Sequence, residues 1–123
     1  MIYLDTNVLI RFFTKDDKEK AAKVAKLLQT EKEIEIVDVV FPEIEYVLLN
    51  VYETNRKDIT KAFKFIISLP NIKLKESIKK AVSLYEKSKL DMADCIIQAY
   101  SINGILASFD KNLLKTPGVK AYW

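Results

Sequence analysis

A chain of 123 residues, half of them apolar and 30% charged, is long enough for one domain with one core. It has no histidine and one cysteine, Cys95, so an internal disulfide and a zinc-type cysteine cluster are excluded, and any enzyme chemistry must come from carboxylates. No apolar run approaches the ~18 residues that span a bilayer and the opening lacks a basic-then-apolar signal, so a cytoplasmic protein with no membrane partner is expected, its net charge of +3 hinting at a polyanionic one.

With two glycines and three prolines, connections should be short, and a single domain over residues 1–123 is expected. Residues 1–4 read as a strand and 6–13 as a short helix, followed by a turn at Lys15-Asp16-Asp17. Ala21, Val24, Ala25 and Leu28 recur at helical spacing. Residues 35–37 suit a short strand, and Pro42 can open a helix because its missing N–H is not needed there. Ile44, Val47, Leu48 and Val51 mark that helix's apolar stripe, and Ile59, Ala62, Phe63, Ile66 and Ile67 mark the next, which ends near Pro70. Residues 72–74 suit a third strand. Ile78, Ala81, Val82 and Tyr85 predict one helix, and Ala93, Ile96, Ile97 and Tyr100 another, stopped by Asn103-Gly104. Residues 105–109 read as the clearest internal strand and 119–122 as a final short one. Strands alternating with helices predict an α/β sandwich with a mainly parallel sheet, whose ligands gather at the carboxyl ends of the strands.

Four acids sit where strands end or helices begin: Asp5, Glu43, Asp94 and Asp110. Each has an ordinary explanation. Asp5 can cap the helix that starts at Thr6, a role worth roughly 1 kcal/mol. Glu43 lies one turn before Val47, which puts it at the top of the predicted buried stripe and sends Glu45 toward solvent, although the helix N-terminal dipole also favours an acid there. Asp91 suits an N-cap with Asp94, three residues on, the more inward of the two. Asp110 can make an Asx-type turn with Lys111-Asn112. As a set they mean more. Two unit charges ~4 Å apart repel by about 4 kcal/mol at an effective dielectric of 20, so converging carboxylates need a cation. Oxygen-only ligands suit Mg²⁺ or Mn²⁺, which can activate water for phosphodiester cleavage without histidine.

Four stretches carry a family resemblance: Leu4-Asp5-Thr6-Asn7-Val8-Leu9-Ile10, Phe41-Pro42-Glu43-Ile44-Glu45-Tyr46-Val47-Leu48, Leu90-Asp91-Met92-Ala93-Asp94-Cys95-Ile96-Ile97 and Ala107-Ser108-Phe109-Asp110-Lys111-Asn112. In this order they resemble the motifs of PIN domains, and the short form is most similar to VapC-type toxins of toxin–antitoxin pairs. The resemblance implies a three-layer α/β/α sandwich around a short, mainly parallel sheet. It also implies Mg²⁺- or Mn²⁺-dependent endoribonuclease activity, an RNA substrate, an antitoxin partner and a possible homodimer. Asp5, Glu43, Asp94 and Asp110 correspond to the family's metal-binding acids, with Thr6, Asn7, Asp91, Ser108 and Asn112 beside them. Ser108 stands where threonine is frequent, and Asn112 where some members carry another acid, which leaves the metal count open.

Arg11 and Lys111 are candidates for holding the RNA backbone, with a surface ion pair the alternative for Arg11. Phe12, Phe13, Tyr46 and Leu49 are candidates for an antitoxin groove, or else core. Two other phosphate chemistries fit less well. A receiver-like phosphoacceptor pairs acids after its first strand, and Asp5 has no acidic neighbour. A haloacid-dehalogenase-like phosphatase needs D-x-D, where this chain has Asp5-Thr6-Asn7. A PIN scaffold that binds RNA or a partner without cutting is the remaining alternative.

Overall fold

Three strands of two residues each are too short to hold a fold together by ladder hydrogen bonds, so helices must do most of the packing. The computed structural model describes all 123 residues, which group into two compact units, Met1–Leu74 and Lys75–Trp123.

The first unit runs β1 (Ile2–Tyr3), α1 (Thr6–Thr14), α2 (Lys18–Thr30), β2 (Ile34–Glu35), α3 (Val40–Asn50), α4 (Arg56–Ser68) and β3 (Ile72–Lys73). The strands lie in the order β1-β2-β3, all parallel, with Ile2 opposite Ile34 and Ile34 opposite Ile72. A parallel pair needs a crossover, and here each crossover is a helix pair. Local chemistry sets the helix ends. Asp5, Asp17 and Asn55 are the N-caps of α1, α2 and α4, each side chain accepting a backbone N–H of the first turn. Lys15 closes α1 in the left-handed region, with φ of 54°, and the chain reverses at the predicted turn. The N-terminus of α3 has no side-chain cap; turn bonds such as Val40 N–H to Val37 O occupy its first donors, and Pro42 sits in the first turn.

Helix α1 packs on α2 and α3, and α3 on α4. Leu9, Phe41, Ile44, Ile59, Phe63 and Ile66 fill the interior, with the Phe41 and Phe63 rings 5.5 Å apart. Asn71 fastens the end of α2 beside β3: its Nδ2 donates to Leu28 O at 2.9 Å and to Glu31 O at 2.8 Å.

The second unit contains α5 (Glu76–Lys87), α6 (Met92–Ser101) and α7 (Lys111–Leu114). Helices α5 and α6 pack along Ile78, Ala81, Val82 and Tyr85 on one side and Met92, Cys95 and Ala99 on the other. Gln98 Nε2 donates to Pro117 O at 3.1 Å, and Gly118, at φ 83°, turns the chain back.

Three expectations need correction. Residues 105–109 and 119–122 are not strands; a single parallel bridge joins Leu106 to Ala121, because an extended run becomes a strand only where a partner runs beside it. The buried face of α3 is Val40, Phe41, Ile44, Glu45 and Leu48, rotated from the expected stripe, and Val51 is exposed. In α6 the buried face is Met92, Cys95, Gln98 and Ala99, while Ile97 and Tyr100 face water. In both helices apolar residues outnumber those one face can bury, so composition alone does not choose the phase. The turn expected at Asp110 forms, its Oδ1 accepting the Asn112 N–H at 2.9 Å, and it opens a short helix, α7.

Phe63→Ala is expected to lower stability by about 3–5 kcal/mol in urea unfolding, since it empties a fully buried site. Phe65→Ala, on the exposed side of α4, should cost clearly less.

Candidate active site

Thr6 is the pivot of the first unit's acidic pair. The chain leaves β1 and passes through Asp5 in an extended conformation, φ −82° and ψ 158°, so that Asp5 Oδ1 accepts the Thr6 N–H at 2.6 Å. Thr6 is itself buried, at 8% exposure, and its Oγ1 donates to Glu43 Oε1 at 2.7 Å, across 37 residues of sequence. One residue thus gives its backbone N–H to one carboxylate and its hydroxyl to another. Adjacent parallel strands explain the meeting: β1 leads into α1 and β2 toward α3, and both helices begin beyond the same edge of the sheet.

The two bonds use Oδ1 of Asp5 and Oε1 of Glu43. Each carboxylate has a second oxygen outside them, and both residues are exposed. No group of three or more His, Cys, Asp or Glu side chains in the structure is gathered to hold a metal ion. Magnesium does not need such a cage: it is commonly held by one or two carboxylates, with waters and substrate phosphates completing its six positions. The Asp5–Glu43 pair fits that demand, with hard oxygen donors and a hydroxyl that orients one of them.

The structure reverses the expected environments of the two glutamates on α3. Glu43 is exposed, and Glu45, expected in solvent, is 7% exposed. The rotated face of α3 is the reason: Glu45 falls between Ile44 and Leu48 on the buried side, while Glu43 stands at the flank where Thr6 reaches it. Asn7 is exposed on the first turn of α1.

Arg11 is committed locally. Its Nη1 pairs with Asp16 Oδ2 at 2.9 Å, and the same oxygen accepts the Tyr52 hydroxyl at 2.6 Å, while Thr14 Oγ1 donates to Asp16 Oδ1 at 3.2 Å. The Tyr52 bond, with the Arg11 bond next, holds the Asp16 carboxyl down to about 2 from an ordinary 3.8. Sequence reasoning missed Tyr52, which lies 36 residues from Asp16 and has no local pattern tying it there.

In the second unit, Asp91 caps α6 by accepting the Asp94 N–H at 2.8 Å. Asp91 is exposed and Asp94 half-buried in the first turn, the relative depth expected. Ser108 Oγ accepts the Asp110 N–H at 3.0 Å, and Asp110 Oδ1 accepts from Asn112 N at 2.9 Å and Leu113 N at 3.1 Å, capping α7. Both cap bonds fall on one oxygen of Asp110. Lys111 and Asn112 are exposed.

The first unit also has an open aromatic cleft of about 630 Å³, bounded by Phe12, Phe13, Leu48, Tyr52, Ala62 and Phe65. Phe12 and Phe65 stack at 5.4 Å, and Phe13 meets Phe65 edge-on at 6.1 Å. Of the four groove candidates, Phe12 and Phe13 are half-buried, and Tyr46 and Leu49 are exposed and outside the core. Phe65 lies off the buried stripe of α4, a signal in the sequence that an exposed aromatic there has another use.

The family model described as PIN domain matches residues 2–119, running through both units. A "VapC ribonuclease" of Aquifex aeolicus (strain VF5) is 30% identical over 102 residues, covering 78% of this chain and 75% of that protein. No solved structure gives a significant match.

Two outcomes are expected. Thr6→Val should weaken Mn²⁺ binding about tenfold or more, read as free Mn²⁺ by electron paramagnetic resonance, while Thr6→Ser stays near the parent; equal affinity in all three would show that the hydroxyl does not position Glu43. The second concerns acid. The ionised form of Asp16 is stabilised on folding, so its contribution is complete above pH 3.8 and is lost as pH falls through about 2. Urea midpoints measured over that interval should fall more shallowly in Tyr52→Phe than in the parent.

Proposed function

The chain belongs to the PIN domain family, and from that premise we propose that it is a divalent-metal-dependent endoribonuclease, the toxin of a toxin–antitoxin pair acting in the cytoplasm. The single observation that carries this reading is the pairing of Asp5 and Glu43 over Thr6. A residue that merely capped α1 would not need a buried hydroxyl aimed at a distant carboxylate. The name of the Aquifex aeolicus relative supports the choice of RNA as substrate.

In this reading residues 1–123 act as one PIN domain. Asp5 and Glu43 hold Mg²⁺ or Mn²⁺, and Asp94 and Asp110, which match the family's other acidic motifs, are the further acids of the same reaction. When bound, the ion supplies Lewis-acid stabilisation of the phosphate and lowers the pKa of water. The chain's residues do the rest. Thr6 keeps the Glu43 carboxylate in one orientation. Asp94 or Asp5 takes the proton of the attacking water, which opens the phosphodiester in line and leaves 5′-phosphate and 3′-hydroxyl ends. Asn7, Asp91, Ser108 and Asn112 hold polar positions beside these acids. Lys111, exposed at the start of α7, is the better candidate for a phosphate contact, since Arg11 is already paired with Asp16.

An antitoxin partner follows from the resemblance of the four motifs to VapC-type toxins, and the cleft at Phe12, Phe13 and Phe65 suits an apolar segment of a partner chain. A homodimer is a further proposal. Family membership brings the α/β/α sandwich with it, and the seven helices and three parallel strands agree. No helix is long and apolar enough to cross a membrane.

Asp5→Asn and Glu43→Gln should each reduce Mg²⁺-dependent cleavage of a structured RNA by about 100-fold or more, from loss of a charged ligand, with EDTA abolishing cleavage by the parent and added Mn²⁺ restoring it. Cleavage at parental rates by both variants would sink the proposal.

A further inference from the structure

Beyond α6, three aromatic side chains of the second unit stay in water, and the proposed reaction gives them no task. Phe109 is 86% exposed, Trp123 71% and Tyr122 66%. They nonetheless lie against one another. Phe109 and Trp123 lie face to face, their centroids 4.7 Å apart and their planes within 10°, and Tyr122 meets Trp123 edge-on at 5.2 Å. The backbone builds this pair. Leu106 N–H donates to Lys120 O at 2.8 Å and Tyr122 N–H to Leu106 O at 2.9 Å, which sets the last residues beside the run ending in Phe109.

Stacked on Trp123 and 86% exposed, the Phe109 ring presents an outward face, and such a face takes up a planar conjugated group well. Charge selects the group. From Ile102 to Trp123 the charged residues are Asp110 and the exposed lysines Lys111, Lys115 and Lys120. A polyanion is favoured there, whereas a second copy of the chain would bring the same lysines to the contact. Resting on the reading that the protein cleaves RNA, we infer that the Phe109–Trp123 pair is a stacking platform for an unpaired base of the substrate, one residue before Asp110. Bases in a duplex have their faces covered, so the platform selects single-stranded segments; every base has a π face, so it does so with little sequence preference.

Trp123 is the single tryptophan of the chain, and its emission therefore reports the platform directly. With EDTA present to stop metal-dependent cleavage, hexaadenylate should quench that emission on titration into the full chain, and duplex RNA of equal phosphate count should not. Phe109→Ala should weaken hexaadenylate binding about tenfold, while Phe109→Tyr keeps it. Unchanged emission while the anisotropy of a labelled hexaadenylate reports binding would overturn the platform. So would a Trp123→Ala variant that binds RNA like the parent but sediments as a smaller species, which would make the patch a self-association face. Cleavage is read separately with Mg²⁺: quenching without cleavage supports the platform and removes the nuclease reading, and cleavage without quenching removes the platform alone.

Discussion

The hydrogen bond from Thr6 Oγ1 to Glu43 Oε1 is the constraint around which the first unit's site is arranged. It links the first turn of α1 to the first turn of α3, and it sets Glu43 beside the Asp5 cap. Its donor is buried and its acceptor is not. A hydroxyl held by its surroundings thus orients a carboxylate that remains open to water and to a cation. The packing of α1 on α3 keeps this geometry, so buried residues of the two helices such as Leu9 and Ile44 support the site.

Two of the four proposed metal-site acids, Asp5 and Asp110, are helix N-caps, as is Asp91, and capping and catalysis do not exclude each other there. Asp5, Asp91 and Asp110 each accept backbone N–H groups through one oxygen, Oδ1. A cap holds an acid in a single rotamer and lends its anion the favourable field of a helix N-terminus. The remaining oxygen is then presented in a defined direction, which is what a metal ligand requires. Capping therefore explains how these acids are positioned and leaves their further use open to the chemistry of the family.

Legibility followed the range of the interaction. Helices α2, α4 and α5 were readable because their apolar spacing admits one buried face, and the caps Asp5 and Asp91 were readable because a cap is made within four residues. Helices α3 and α6 carry apolar residues on more than one side, so their phase was set by what packs against them, and Glu45 went inward as a result. The run 105–109 had strand composition but met a partner only at Leu106. The Arg11–Asp16–Tyr52 cluster and the Phe12–Phe65 stack join residues far apart in the chain, and no local spacing announces them.

By itself the sequence determined the α/β class, most helix positions, the absence of histidine and disulfide chemistry, and the motif order that identifies the PIN family. These depend on residue type, short-range periodicity and order along the chain. Only the tertiary structure decided that Glu43 rather than Glu45 reaches Thr6, that Arg11 is held by Asp16, and that Phe109 meets Trp123 in water. Each of those is a choice of which residue faces which neighbour, and it is made by the packing of elements against one another, at distances along the chain that no propensity or periodicity spans.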